Sequence, residues 1–369
     1  MKSPHLAIIN SDFNINGVNR VLLNLLTELD SRGYSVDLVL THPRGNFLAD
    51  LPPQVRVFTL NSFSRLGTSM LSYCPSLVYY LRQTHPDVLL AARPHTNPLT
   101  LFSNQMAGDT SRTVVCIHSI PSHQMKQRNT VHKLWSIFTS GLYRWADEIV
   151  AVSEGVKKDA ASSLHLPLDN LSVIHNPIVT PHLYHQSQQP VAHRWFVNEE
   201  PPVILGAGRL HAQKDFSTLI TAFSYVAEEV DSRLVILGDG EMRSELETVI
   251  EKHNLQEVVS LPGWTNNPYA YMARSSLFAL SSITEALPSV LIEALACGCP
   301  PVSTACSSGP IEILENGRYG PLVPVNNPEA LANALVSTLR NPPDEALLRD
   351  RATDFSVSSI TDEYEKIIF

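Results

Sequence analysis

Short apolar runs of strand length recur along this chain, separated by stretches of helix length, and few folds accept that rhythm. The first series is HLAIIN (His5–Asn10), VDLVL (Val36–Leu40), VRVFTL (Val55–Leu60), DVLLA (Asp87–Ala91), TVVCIH (Thr113–His118), EIVAVS (Glu148–Ser153) and LSVIHN (Leu171–Asn176). The second is VILGAGR (Val203–Arg209), RLVILGDG (Arg233–Gly240), VVSLPGW (Val258–Trp264), LFALSS (Leu277–Ser282), PPVST (Pro300–Thr304) and PLVPV (Pro321–Val325). Alternating strands and helices imply a mainly parallel sheet with helices on both faces, an α/β class in which ligands gather at the strands' C-terminal ends. Between the two series, residues 177–202 lose the rhythm and are rich in Pro, Gln and His. The expected organisation is an N-terminal domain over 1–178, a linker over 179–201 and a C-terminal domain over 202–352. A terminal helix over 353–369 follows, with Phe355, Ile360, Tyr364, Ile367 and Ile368 at helical intervals.

Composition narrows the functional classes. At 369 residues and 44% hydrophobic, the chain can bury two ordinary cores, and 17% charged residues argues against disorder. A formal net charge of -9 speaks against a general nucleic-acid binder. The five cysteines (Cys74, Cys116, Cys297, Cys299, Cys306) form no paired zinc spacing, so buried free thiols in a reducing compartment are expected. No apolar run reaches membrane-span length, and LAII (Leu6–Ile9) is too short for a signal-peptide core. The expected location is cytoplasmic, with peripheral contact at the inner membrane face as an open alternative. The histidines of the proline-rich stretch (His182, His185, His193) have no orienting carboxylates beside them and read as loop composition.

The chemistry concentrates in Ser281–Gly309, SSITEALPSVLIEALACGCPPVSTACSSG. After the strand LFAL (Leu277–Leu280) comes a loop, then a helix with Pro288 in its first turn and Gly298 as its stop. A helix N-terminus presents backbone N–H groups and partial positive charge, a seat for phosphate. Glu285 and Glu293 flank that seat with E-x7-E spacing. Alone, that spacing also fits two glutamates on a solvated helix face. GAGRLHAQKD (Gly206–Asp215) follows another strand and brings Arg209 and Lys214 to its end beside two glycines. Fixed cations there suit a departing phosphate, on which charge develops. A dinucleotide fingerprint fails, because position 211 is His rather than Gly. GDGE (Gly238–Glu241) is a second glycine turn after a strand. Trp264, after Gly263, reads equally as packing or as a base contact.

The Ser281–Gly309 stretch closely resembles the donor-site signature of family 4 retaining glycosyltransferases. That resemblance implies the GT-B fold, two doubly wound Rossmann-like domains facing across a cleft. It places Glu285 near the transferred sugar and diphosphate, Glu293 on the ribose diol, and Leu287, Pro288, Ser289 and Val290 at the donor. Arg209 and Lys214 match the family's G-R-x4-K-D element and would neutralise the diphosphate, with Gly208 beside them. Gly263 and Trp264 fall near the nucleobase. Gly17 matches the second glycine of a loop that approaches diphosphate and sugar, although Asn16 stands where the family has the first. His118 matches a histidine that contacts the transferred sugar. Thus His118, Arg209, Lys214 and Glu285 are the expected catalytic set. Arg93, His95 and Asn97, on another strand-end loop, are candidates for the acceptor.

What the resemblance implies is transfer of a sugar from a nucleotide diphosphate sugar, UDP-hexose or UDP-N-acetylhexosamine, to a glycan or lipid-linked acceptor with retained configuration. No metal is expected, since no D-x-D, HExxH or paired CxxC occurs and the cations supply the charge; the nucleotide sugar enters as co-substrate. The readings left beside this are a GT-B epimerase of nucleotide sugars and a noncatalytic nucleotide-sugar-binding module; a nicotinamide oxidoreductase lacks its fingerprint. Lys126, Arg128, His132, Lys133, Trp135, Arg144 and Trp145 surround a mixed apolar segment, which suits an amphipathic helix or an anionic membrane surface.

Overall fold

The computed structural model describes residues 4–62, 70–126, 141–197 and 201–368. It divides into two compact units, Met1–Pro177 with Val357–Phe369, and Ile178–Ser356.

The first unit carries a seven-stranded sheet in the order β3-β2-β1-β4-β5-β6-β7. Its strands are β1 (His5–Asn10), β2 (Ser35–Leu40), β3 (Arg56–Thr59), β4 (Val88–Ala91), β5 (Arg112–Ile117), β6 (Glu148–Ala151) and β7 (Leu171–Val173). All neighbours pair in parallel, with Ile8 opposite Leu38 on one side and Leu90 on the other. Every residue of β1 is buried, as expected for a strand covered on both faces. Helices α1 (Gly17–Ser31), α2 (Cys74–Thr84), α3 (Thr96–Ala107), α4 (Pro121–Lys126) and α5 (Glu154–Leu164) connect them. The start of α1 is set by Asn16, whose side chain accepts the Asn19 N–H, and its buried face is Val21, Leu22, Leu25, Leu26 and Leu29. Most of the basic, aromatic-bearing segment lies at 127–140, outside the described residues.

The second unit has a six-stranded parallel sheet in the order β10-β9-β8-β11-β12-β13. Its strands are β8 (Val203–Ala207), β9 (Arg233–Leu237), β10 (Val259–Gly263), β11 (Leu277–Leu280), β12 (Pro301–Thr304) and β13 (Leu322–Val323). Around it lie α6 (Pro181–Ser187), α7 (Phe216–Glu229), α8 (Arg243–Lys252), α9 (Pro268–Met272), α10 (Ser289–Ala296), α11 (Gly309–Ile313), α12 (Pro328–Arg340) and α13 (Glu345–Thr353).

The linker expected over 179–201 is corrected: its described part is built into the second unit. Pro181 sits in the first turn of α6 behind the cap Thr180, where its missing N–H costs nothing. Asn267 Nδ2 donates to the Gln186 carbonyl at 2.8 Å, and Arg274 Nη1 to that of Ser187 at 3.0 Å. His193 pairs with Ser260, and Trp195 is buried. Near the second chain crossing, the N–H groups of Ile178 and Val179 both reach the Phe355 carbonyl. From Val357 the chain rejoins the first unit as α14 (Val357–Ile368), whose Ile360, Tyr364 and Ile368 enter that unit's core. Arg32, which caps the C-terminal end of α1, is paired with Asp362 and Glu365 of α14.

Candidate functional site

In each sheet the strand order reverses direction once, and ligands of such sheets collect at that point. In the second unit it lies between β8 and β11, and the loops after those two strands are joined by side chain and backbone. Lys214 Nζ donates to Glu285 Oε1 at 2.6 Å, and Ser282 Oγ donates to the same oxygen at 2.7 Å. Ser281 Oγ donates to the Lys214 carbonyl at 2.8 Å, and the Ile283 N–H to that of Gln213 at 2.9 Å. Gln213 Nε2 closes the seam on the Thr284 carbonyl at 2.7 Å. Glu285 is 8% exposed and buried beside a strand end, which an unpaired carboxylate could not be without a large penalty.

Arg209 stands more openly, its side chain 72% exposed and its Nη2 3.2 Å from Glu241 Oε2. His211 Nε2 lies 3.4 Å from the other oxygen of Glu241. The backbone N–H of Glu241, and then the charges of Arg209 and His211, hold that carboxyl below its usual range. The turn bearing Glu241 is fixed by Gly238, at φ +132°, where a Cβ would fall 1.9 Å from the Gly208 carbonyl oxygen. No side chain larger than hydrogen fits there. The Gly238 N–H in turn donates to the Gly263 carbonyl at 2.9 Å. Trp264, next in the chain, is 59% exposed, so core packing does not account for it.

Helix α10 follows Pro288 with no side chain capping its N-terminus. Leu287 and Pro288 are buried at that end, while Ser289 and Val290 are half-buried. Glu293, in its second turn, is 8% exposed. Burial, and next the charge of Glu293, push the Cys297 thiol up to about 12. All five cysteines are free and buried, and Cys297 is no thiolate nucleophile at neutral pH.

The first unit reverses between β1 and β4, and there Arg93 bridges the two strand ends. Its Nε donates to Asn10 Oδ1 at 2.8 Å, and its Nη2 to Asn19 Oδ1 at 2.7 Å and Asn16 Oδ1 at 3.2 Å. Arg93, expected at the acceptor, thus spends Nε and Nη2 on the end of β1 and the start of α1. Asn97, expected there with it, turns inward. It is 1% exposed, its Nδ2 donates to the Cys116 carbonyl at 3.0 Å and Tyr143 Oη at 3.2 Å, and its Oδ1 accepts the Arg93 N–H. Such an amide has nothing left for a substrate. His95 is exposed at the start of α3.

His118 follows β5 and is half-buried. Its Nδ1 and Asn176 Oδ1 are both buried without a hydrogen bond of good geometry, although the two side chains are neighbours. Burial, then the Arg93 charge, push the imidazole down to about 4, with Asn176 opposing. His118 is therefore neutral at physiological pH. Gly17 opens α1 directly after its cap Asn16, and a Cβ there would meet no heavy atom within 4 Å.

The asparagines of NSDFNINGVN and the Ser282 hydroxyl escaped the motif reading. A usable signal existed: Asn10, Asn14, Asn16 and Asn19 crowd one strand-to-helix loop, and Ser281-Ser282 precede Glu285 at a strand end.

Residues 15–181 match the model of glycosyltransferase family 4, and residues 189–355 that of glycosyl transferases group 1. The chain belongs to the family 4 glycosyltransferases. An N-acetylgalactosamine-N,N'-diacetylbacillosaminyl-diphospho-undecaprenol 4-alpha-N-acetylgalactosaminyltransferase of Campylobacter jejuni is 32% identical over 237 residues. That match spans 64% of this chain and 63% of the relative, just under two thirds of its length. The amylovoran biosynthesis glycosyltransferase AmsD of Erwinia amylovora is 28% identical over 85% of this chain and 84% of its own. HepE of Anabaena, solved with UDP and glucose, superposes with a TM-score of 0.78 at 19% identity, covering 98% of each chain. This family 4 glycosyltransferase has the GT-B fold. Among the described residues, no helix is long and apolar enough to cross a membrane.

Proposed function

We propose that this chain transfers a hexose or N-acetylhexosamine from its UDP donor to a glycan or lipid-linked acceptor, with retention of anomeric configuration, in the synthesis of a surface polysaccharide or glycoconjugate. The observation that carries the proposal is the meeting of Lys214 and Glu285 across the ends of β8 and β11, with Arg209 alongside. An ammonium has three protons and gives one to Glu285, so Lys214 is held in place with donors to spare for a phosphate. Names of relatives point the same way, one to a diphospho-undecaprenol-linked acceptor and one to an exopolysaccharide.

In this reading the bond between the anomeric carbon and the diphosphate oxygen breaks as the acceptor oxygen bonds to that carbon from the same face. The acceptor's proton passes to a leaving phosphate oxygen, so no separate protein base is assigned. Arg209, Lys214 and the N-terminus of α10 around Leu287–Val290 stabilise the charge that grows on the diphosphate. Glu285 positions Lys214 and the sugar, Glu293 takes the ribose diol, and Gly208, Gly263 and Trp264 line the nucleotide. Gly17 and His118 of the first unit are assigned to the transferred sugar. The reaction needs no metal in this scheme, and peripheral membrane contact follows from a lipid-linked acceptor.

The test is product analysis by NMR with a panel of UDP-sugars, with and without lipid-diphosphate and glycan acceptors, in excess EDTA. Transfer giving the donor's anomeric configuration is expected. Epimerised free sugar without acceptor, inverted product, or a metal-reversible loss of turnover would each contradict the corresponding part of the proposal.

A further inference from the structure

We propose that Arg93 is a positioning residue of the transfer reaction, one that sets the β1–α1 loop and thereby Gly17. The inference rests on the assignment of Gly17 and His118 to the transferred sugar.

The geometry is a single fork serving three turns of chain. Nε takes Asn10 at the end of β1, while Nη2 takes Asn16, the cap of α1, and Asn19 in its first turn. The carboxamides are fixed on their other sides as well. Asn10 Nδ2 donates to Asn19 Oδ1 at 2.8 Å and to the Asp12 carbonyl at 3.0 Å, and Asn19 Nδ2 donates to the Asn14 carbonyl at 2.8 Å. Asn10 and Asn19 are fully buried. Without the guanidinium, buried oxygens of Asn10 and Asn19 would lose their charge-assisted donor, and the loop its anchor to β4. A lysine cannot replace it, because one ammonium lacks the planar fork that reaches oxygens in separate directions.

What the loop presents is Gly17, where among the described residues a Cβ would meet open space, so the backbone there is left bare for close approach by a ligand. Arg93 also bears on His118. The oxygens it binds are neutral, so its charge is retained, with Asp12 as the acidic group acting on it. Burial first, and then that charge, keep the imidazole neutral, against Asn176 from the segment after β7. Arg93 on the β4–α3 loop, Asn176 and burial are the influences on His118 that face it from the neighbouring elements.

The test compares Arg93→Lys and Arg93→Ala with the wild-type full chain. Three quantities are read: donor KM and kcat, amide hydrogen exchange over residues 12–19, and the His118 titration by NMR. Both variants should raise the UDP-sugar KM about tenfold or more with a smaller change in kcat, the pattern expected when a misplaced loop weakens donor binding in ground and transition state alike. Both should exchange faster over 12–19. The His118 titration should move upward in Arg93→Ala and stay near wild type in Arg93→Lys, a separation that a merely structural clamp would not produce. Should Arg93→Ala fail to fold, Arg93→Lys still decides through KM and exchange. Unchanged KM and exchange in Arg93→Lys would overturn the proposal. If the wild type transfers no sugar, the glycosyltransfer reading has failed, while exchange and the His118 titration still judge Arg93: no change in either overturns it.

Discussion

The two sheets reach the same topological point with opposite solutions. In the first unit the cation, Arg93, stands on the loop after β4 and is met by neutral carboxamides from the end of β1 and the first turn of α1. In the second unit the cation, Lys214, stands on the loop after β8 and is met by a carboxylate, Glu285, from the loop after β11. A cation bound by amides keeps its field, and that field reaches His118. A cation paired with a carboxylate is locally neutral; Lys214 meets Glu285 in a buried pair, while Arg209 meets Glu241 in an exposed pair that solvent screens and a ligand can replace. The lesson is that shared topology places loops, while the residues on them decide whether the crevice is an anchor for the chain or a seat for a charged ligand.

The comparison breaks first at the second unit's cations. Arg209→Ala and Lys214→Ala should each lower turnover by about 10²–10³-fold, the scale seen when one donor to a developing negative charge is lost. Circular dichroism should show both folded. Near-normal turnover in both would remove the diphosphate seat from β8 and β11.

Next comes a contrast between glycines. Gly238→Ala forces a Cβ to within 1.9 Å of the Gly208 carbonyl oxygen, so a stability loss of about 1–3 kcal/mol or more is expected from overpacking. Gly17→Ala meets open space and should leave the thermal midpoint unchanged or raised, because Ala suits a helix better than Gly. Its effect should fall on donor KM instead. A destabilised Gly17→Ala with normal KM would assign that glycine to folding rather than to ligand.

Glu293→Gln should weaken UDP binding in calorimetry roughly tenfold, the cost of losing a charge-assisted acceptor. The penalty should shrink for the 2′-deoxy nucleotide; equal penalties would detach Glu293 from the 2′-hydroxyl.

The smallest effect concerns pH. His118 is held down to about 4 in the folded chain, below the value near 6.5 of an unperturbed histidine. As pH falls below 6.5 the unfolded chain binds this proton first, so the neutral imidazole costs stability progressively until pH reaches about 4. Above 6.5 the contribution vanishes. His118→Asn should therefore show a shallower fall in urea midpoint between pH 7 and pH 5 than the wild type, and parallel profiles would remove the depressed titration from the account.

Much of the architecture was readable because strands buried on both faces appear as apolar runs; LAII and VILGA were plain for that reason. Glu285 and Lys214 stood out in the sequence as charges at strand ends, although their pairing across 71 positions was not legible there. The segment after Pro177 was misread because prolines that open helices look like breaks when their caps, such as Thr180, are not weighed. Asn97 was misread for a different reason: a strand-end loop can be located from pattern, but not the direction of its side chains. Asn97 turns inward to Cys116 and Tyr143, and Arg93 meets Asn10 from 83 positions away. Such pairings exist only once the chain is folded.

The central claim is that the crevice between β8 and β11 seats a nucleoside diphosphate, and a crystal structure of the chain with UDP tests it most directly. The account predicts phosphate oxygens about 3 Å from Lys214 Nζ and the Arg209 guanidinium, a hydrogen-bonding separation, and the ribose hydroxyls on Glu293. UDP bound elsewhere on the chain, or phosphates at that crevice touching neither cation, would contradict it.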